Sequence, residues 1–429
     1  MKEYDIRFRS LSNDVRHLEI HMPERETASC IVFVKTGSRN ETGPGEAGIS
    51  HALEHKIYAG SKKRLGTERG LAVDRLGANE SANTEKEYTE YYINLHSDYV
   101  PNALELLSEI FVRPTFPRGL LKIENKVIVG EIKDYRDDYP STIQEQFEGL
   151  LFDKTNMAKP ILGTVASVTS QTRKQLMDYM KRWYKGGNIM VALVGNVRRT
   201  GKLVEKYFGK LPPGPTELFE GTAGYGKLRR RVATKDTDQT YFVFGVPALP
   251  LGHEDYYAMR IIEIILGGHQ VLDERTVQSS KIFEEVRSKR GLAYEISTSS
   301  FSGSDTGYIA VGGSVQPRNL HKTLEVVKKE MFDFASTVTR EEVMRAKQFF
   351  RDYLTTQLDN PNSTAELLGV PALLLNKVER PSEMFEKIDA VNLKNVRDLA
   401  SKLLVPEEAR LAVLGPFDDE LRRVPKSQL

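Results

Sequence analysis

Within five consecutive residues, His51-Ala52-Leu53-Glu54-His55, the chain carries two imidazoles and a carboxylate. On a helix, positions i and i+4 share a face a few ångströms apart, so both ring nitrogens reach one metal ion. The alternative is a pair of surface histidines on an amphipathic helix. A hydrolytic zinc centre takes three protein ligands and leaves one position for water, so a third donor has to come from another element. A helix expected over about 118–135 offers two, Glu124 and Glu131, on the same i, i+3, i+4, i+7 ladder as Leu120, Ile123, Val127 and Ile128. Carboxylates on a core-facing stripe are costly unless a metal or an imidazole compensates them. If the helix is rotated, both glutamates are solvated instead.

The elements that must hold these residues read as two echoing halves. The run Leu211-Pro212-Pro213-Gly214-Pro215, followed by Gly221, Gly224 and Gly226, fits neither a helix nor a central strand. It divides the 429 residues into domains at 1–210 and 232–429, with a linker over 211–231. Each half opens on an apolar strand, Cys30 to Val34 and Tyr241 to Phe244, and continues into a helix between glycines, Gly45 to Gly60 and Gly252 to Gly268. Each closes on a short apolar strand, Val191 to Gly195 and Leu411 to Gly415. The segments Tyr88 to Leu95 and Tyr308 to Val311 interleave apolar and polar positions, as half-buried antiparallel strands do. The expected class is α+β: two tandem homologous domains, each a mostly antiparallel sheet packed with helices.

Composition narrows the partners. Sixty-one basic against 59 acidic residues leave a net charge of +2, no field to hold nucleic acid or an anionic membrane. No apolar run approaches the roughly 18 residues of a membrane span, and the acidic start Met1-Lys2-Glu3-Tyr4-Asp5 is unlike a signal peptide. The single Cys30 has no partner for a disulfide and sits in an apolar strand, which suits buried packing and a reducing, cytoplasmic setting.

Together the motifs resemble the inverted-motif zinc peptidases of the pitrilysin, insulin-degrading enzyme and mitochondrial processing peptidase family. His-x-x-Glu-His is followed 76 positions later by Glu131, with Glu124 seven residues before it. Gly37-Ser38-Arg39-Asn40-Glu41 is similar to the family's Gly-Ser-Arg-x-Glu, and Thr84, Glu87, Thr89 and Tyr91 fall at its Thr-x-x-Glu-x-Thr-x-Tyr spacing. Pro160 to Thr164 resembles a further landmark. The resemblance implies that His51, His55 and Glu131 bind one zinc per chain, that Glu54 is the general base, and that Glu124, behind the ligands, orients a histidine or shares a proton near the metal. Manganese or cobalt also suits two histidines and a glutamate.

In the second half, aligning Gly60 with Gly267 puts Ala258, Ile261 and Ile262 opposite His51, Glu54 and His55, so no second metal site is expected. A helix over Lys281 to Gly291 and a strand from Leu292 to Ile296 carry Arg287 and Tyr294, similar to the family's pair that holds substrate carbonyls and stabilises an oxyanion. The family's substrate clamp Asn-Ala-x-Thr stands here as Ser81-Ala82-Asn83-Thr84, a departure at its first position. The resemblance therefore implies an endopeptidase acting on peptides or unstructured segments in a closed chamber, assembled as a homodimer or as a heterodimer with a related chain. The competing class is a silent homologue that keeps the fold for binding or structure.

Overall fold

The structure is a computed structural model and describes residues 4–216, 219, 224–268 and 279–417. Residues 217, 218 and 220–223 of the expected linker lie outside them. The elements used below are, in the first half, β1 (Asp5–Ser10), β2 (Arg16–His21), β3 (Thr27–Val34), α1 (Ile49–Ile57), β4 (Asn79–Thr84), β5 (Thr89–His96), α2 (Val100–Val112), α3 (Arg118–Asp137), α4 (Tyr139–Leu151), α5 (Arg173–Trp183) and β6 (Ile189–Gly195). The second half supplies β7 (Arg230–Ala233), β8 (Thr240–Ala248), α6 (Tyr256–Gly267), β9 (Ala293–Ser302), β10 (Gly307–Val315), α7 (Leu320–Phe332), α8 (Arg340–Asp359), α9 (Pro361–Leu375), α10 (Leu393–Leu403) and β11 (Arg410–Leu414).

The two sheets share one topology. The first runs β1-β2-β6-β3-β5-β4 and the second β7-β11-β8-β10-β9. In each, one parallel pair, β2 with β6 and β7 with β11, is followed by antiparallel neighbours only. Helices match too: α2 and α7 both have 13 residues, α3 and α8 both 20, and α5 and α10 both 11, each of the last pair opened by a side-chain capping box at Thr172 or Asn392. Such agreement in order, direction and length is the signature of one α+β unit used twice.

The compact units are not consecutive in the chain. Unit 1 comprises Met1–Lys133, Lys159–Glu220 and Thr356–Ser382, and unit 2 comprises Asp134–Ala158, Gly221–Thr355 and Glu383–Leu429. Helix α4, from the first half, therefore belongs with the second sheet, where Ile143, Phe147 and Leu151 at i, i+4 and i+8 pack on Val243, Ala310, Ala412 and Leu414. Helix α9 makes the reciprocal exchange. Arg16 of β2 donates to the carbonyls of Ala372 and Leu373 at its C-terminal end, at 3.3 and 2.9 Å, satisfying acceptors a helix leaves open. Gly369 lets this helix lie against Phe33, whose ring would stand 2.8 Å from a Cβ there. Each sheet is thus covered on both faces, which is why β6 is buried along its whole length and reads as an unbroken apolar run.

A carboxyl of β5 lies inside this packing. Glu90 of β5 is 4% exposed, and its Oε2 makes no hydrogen bond. Burial first, and then the like charge of Glu366 on α9, push its carboxyl up to about 8. A carboxyl whose folded pKa lies above its unfolded one contributes stability that is complete below about pH 4.5 and is lost as pH rises through about 8. Glu90→Gln removes the charge while keeping the shape. It is expected to stabilise the protein by about 2–4 kcal/mol at pH 8.5 and hardly at all at pH 4.5. Urea unfolding at the two pH values measures this, and an equal gain at both would contradict the charge argument.

Candidate metal centre

Helix α1 is fixed to unit 1 by one face and leaves the other for chemistry. Ile49, Leu53 and Ile57, at i, i+4 and i+8, enter the main core, so His51, Glu54 and His55 are turned elsewhere. Its N-terminus starts at Gly48, whose φ of +75° favours glycine. There the Glu41 carboxylate accepts from the backbone N–H groups of Gly48 and Ser50, at 2.7 and 2.9 Å. Burial pushes the Glu41 carboxyl up to about 8, against the pull of those donors. Ser50 also meets the buried hydroxyl of Tyr179, which bonds Thr36 in turn. The segment that carries Glu41 is anchored by a buried Arg39–Glu87 ion pair and passes so close to Glu85 that a Cβ at Gly37 would stand 2.0 Å from its carbonyl oxygen.

Helix α3 brings the third donor. Ile128 and Ile132 pack with Ala52 of α1 and with Val168, locking the two helices together. The inward stripe is rotated from the expected one: Ile123 and Val127 are 56% and 50% exposed, and Leu121, Ile128 and Ile132 make the apolar contacts. Glu124 and Glu131 remain on the inward face because they are spaced by seven, with Ile128 between them.

The donors converge. One ligand atom each from His51, His55 and Glu131 lie within 4.8 Å of one another. His51 Nε2 is 3.4 Å from Glu131 Oε1, and His55 Nε2 is 3.3 Å from Glu131 Oε2. Ligands about 2.0–2.1 Å from a tetrahedral ion stand about 3.3–3.4 Å apart, the spacing that each imidazole keeps to one Glu131 oxygen. His51 Nδ1 and Glu131 Oε2 are buried without a hydrogen bond. Behind His55, Glu124 Oε2 is 3.6 Å from Nδ1. Glu54 is half-buried, and its Oε2 accepts a 2.7 Å hydrogen bond from the Thr84 hydroxyl at the end of β4.

Electrostatics favours a cation in this place. The close approach of the His51 and His55 imidazoles holds the Glu131 carboxyl far below the usual range. Burial depresses the His55 pKa, but Glu131, Glu54 and Glu124 outweigh it and the net direction is up. Three carboxylates thus face two imidazoles. Glu124→Gln is expected to weaken metal affinity by about 10–100-fold, because the partner that orients His55 loses its charge. Competition with a chromophoric chelator measures it; unchanged affinity would remove Glu124 from the site.

The clamp residues Ser81, Ala82 and Asn83 lie on β4, which pairs with β5 and ends the sheet among the described residues. Asn83 donates to Glu85 at 3.1 Å, and the Ser81 carbonyl accepts from Tyr58 at 3.4 Å. Arg287 and Tyr294 belong to unit 2. The expected helix is instead a π-helical turn over Phe283–Ser288. Its wider winding places Arg287 against the rings of both Phe283 and Tyr294, at 4.9 and 5.0 Å, and Tyr294 is 71% exposed. The sequence assigned no role to Glu41, Thr84 or Lys56. The first two were visible only as motif spacing. Lys56 is 1% exposed beside the site, its pKa pulled to about 8 by burial against the charge of Glu124, and nothing in its spacing marks it.

The chain is similar to known proteins over most of its length. Residues 16–165 match the model for Insulinase (Peptidase family M16), and residues 170–350 match the Peptidase M16 inactive domain. An uncharacterized zinc protease of Bacillus subtilis is 30% identical over 408 residues, covering 94% of this chain and 97% of that protein. The chain belongs to peptidase family M16. Another relative in this family, the bovine mitochondrial-processing peptidase subunit beta, is 25% identical, covering 94% of this chain and 83% of its own. The M16 fold itself recurs in the crystal structure of a protease from Helicobacter pylori, with a TM-score of 0.87 at 19% identity over 97% of this chain and 100% of that one. Among the described residues no helix is long and apolar enough to cross a membrane.

Proposed function

We propose that this chain is a zinc-dependent endopeptidase cleaving peptides or unstructured protein segments. The observation that carries the reading is the convergence of His51, His55 and Glu131, with Glu54 alongside them and tied to the end of an open sheet edge. Zinc is chosen among divalent metals because relatives are named zinc proteases. When bound, zinc supplies Lewis acidity, making water more acidic and polarising a peptide carbonyl. Glu54 takes the proton from the attacking water and hands it to the leaving amine. Thr84 fixes the Glu54 carboxylate while leaving one of its oxygens to do this. Glu124 holds His55 in the orientation that presents Nε2.

The free edge of β4 suits an extended peptide that adds as a further strand, with main-chain hydrogen bonds to Ser81, Ala82 and Asn83. Such binding reads the backbone more than the side chains and requires an unfolded substrate. Arg287 and Tyr294 serve as the donors that hold substrate carbonyls. Two chains enclose the substrate in a chamber, as a homodimer or with a related chain, and the bovine relative is itself named as a subunit. Cys30, buried and free with its thiol pKa pushed up by burial, suits a cytoplasmic setting.

The test is cleavage of a mixed library of unstructured peptides. Activity is expected to vanish with a chelator, return with added zinc, and fall in mild acid as protons compete for the imidazoles. Cleavage that persists after complete metal removal would refute the reading.

A further inference from the structure

The shared topology allows residues of the two units to be paired by strand register. Val194 of β6 and Leu414 of β11 each precede a glycine of positive φ, Gly195 and Gly415. Val194 faces Ser29, which faces Asn94, which faces Asn79. Leu414 faces Tyr241, which faces Ser314, which faces Glu295. Five residues on from Asn79 and from Glu295, the counterpart of Thr84 is Ser300.

Thr84 donates to Glu54 of α1, and Ser300 donates in the same way to Glu263 of α6, at 2.8 Å. Glu263 is therefore the counterpart of Glu54, and the residues at His51 and His55 become Arg260 and Ile264. This corrects the alignment on Gly60 and Gly267 by two positions. The long helices agree: counted from Arg118 and Arg340, Ile128 corresponds to Phe350 and Glu131 to Tyr353. Phe350 lies 5.9 Å from the Arg260 guanidinium, and Tyr353 is close enough to bear on its charge.

We infer that Arg260, Glu263, Ser300 and Tyr353 form a metal-free counterpart of the first site, in which the Arg260 guanidinium stands in for the divalent cation. Arg260 Nη1 lies 2.9 Å from Glu263 Oε2 and donates to Ser300 Oγ at 2.7 Å, and Glu263 is fully buried. The carboxylate that in unit 1 works beside a metal is here neutralised by a covalently attached cation. This explains why unit 2 keeps a buried glutamate with no ligand set around it. The inference rests on the reading of His51, His55 and Glu131 as metal ligands. It adds that unit 2 lacks a transition-metal site only by three side chains.

The test uses the full chain. After dialysis against zinc chloride and removal of free metal, wild type is expected to hold one zinc, and the variant Arg260→His, Ile264→His, Tyr353→Glu two. Adding His51→Ala to that variant returns it to one. A variant with wild-type circular dichroism and a single zinc overturns the inference. Wild type with no zinc refutes the first site, and a melting series then decides on the pair. Arg260→Met is expected to lower Tm by about 10 °C by leaving the Glu263 charge buried without its cation, and Glu263→Gln added to it to restore most of that. A double variant as unstable as the single one overturns the stand-in role.

Discussion

Glu54→Gln is expected to reduce the cleavage rate by about 10³-fold while leaving zinc content at the wild-type level. The amide occupies the same volume and its oxygen accepts the Thr84 hydroxyl as the carboxylate oxygen does. It cannot accept a proton from water. None of the three convergent donors is touched, so the metal stays. Single-turnover cleavage of one identified peptide, with metal content measured on the same sample, separates the two effects. A variant that cuts at the wild-type rate would remove Glu54 as the base. A variant that lost its zinc would make Glu54 a positioning residue instead.

Glu131→Gln is expected to have the larger effect on the metal. Glu131 is the only one of the three convergent donors that carries a formal negative charge, and it faces both imidazoles. An amide oxygen offers no charge, so zinc affinity should fall by more than the roughly 10–100-fold typical of an outer partner. Activity falls with it. A second readout is stability, since a ligand at 1,000 times its dissociation constant adds about 4 kcal/mol to the folded state. Zinc should therefore raise the Tm of chelator-treated wild type and leave that of the variant almost unchanged. Equal zinc affinity in the two proteins would exclude Glu131 from the ligand set.

The parts of the site that were legible in the sequence are those set by helical spacing. His51 and His55 face one way because i and i+4 always do on a helix, and Glu124 and Glu131 share a face for the same reason. Absolute rotation was less legible. Ile123 and Val127 look like core from their spacing and are exposed, because a 20-residue helix with apolar residues on more than one side fits two stripes and only its neighbours choose between them. The counterpart of Glu54 was missed for a related reason. Glycines at helix ends mark where a helix stops, whereas the hydrogen bond from Ser300 to Glu263 marks which residue faces the sheet.

The sequence by itself determined the two-half organisation, the α+β class and the spacing of the residues that converge, because each depends on local periodicity or on turn residues. Only the tertiary structure decided that α4 and α9 are exchanged between the units, that Glu41 caps α1 from seven residues before Gly48, and that Arg260 faces Glu263 in the second copy. Those features depend on strand register and on burial contributed by distant segments. No stretch of chain can encode them alone, since the partner that makes each group satisfied or costly lies elsewhere in the sequence.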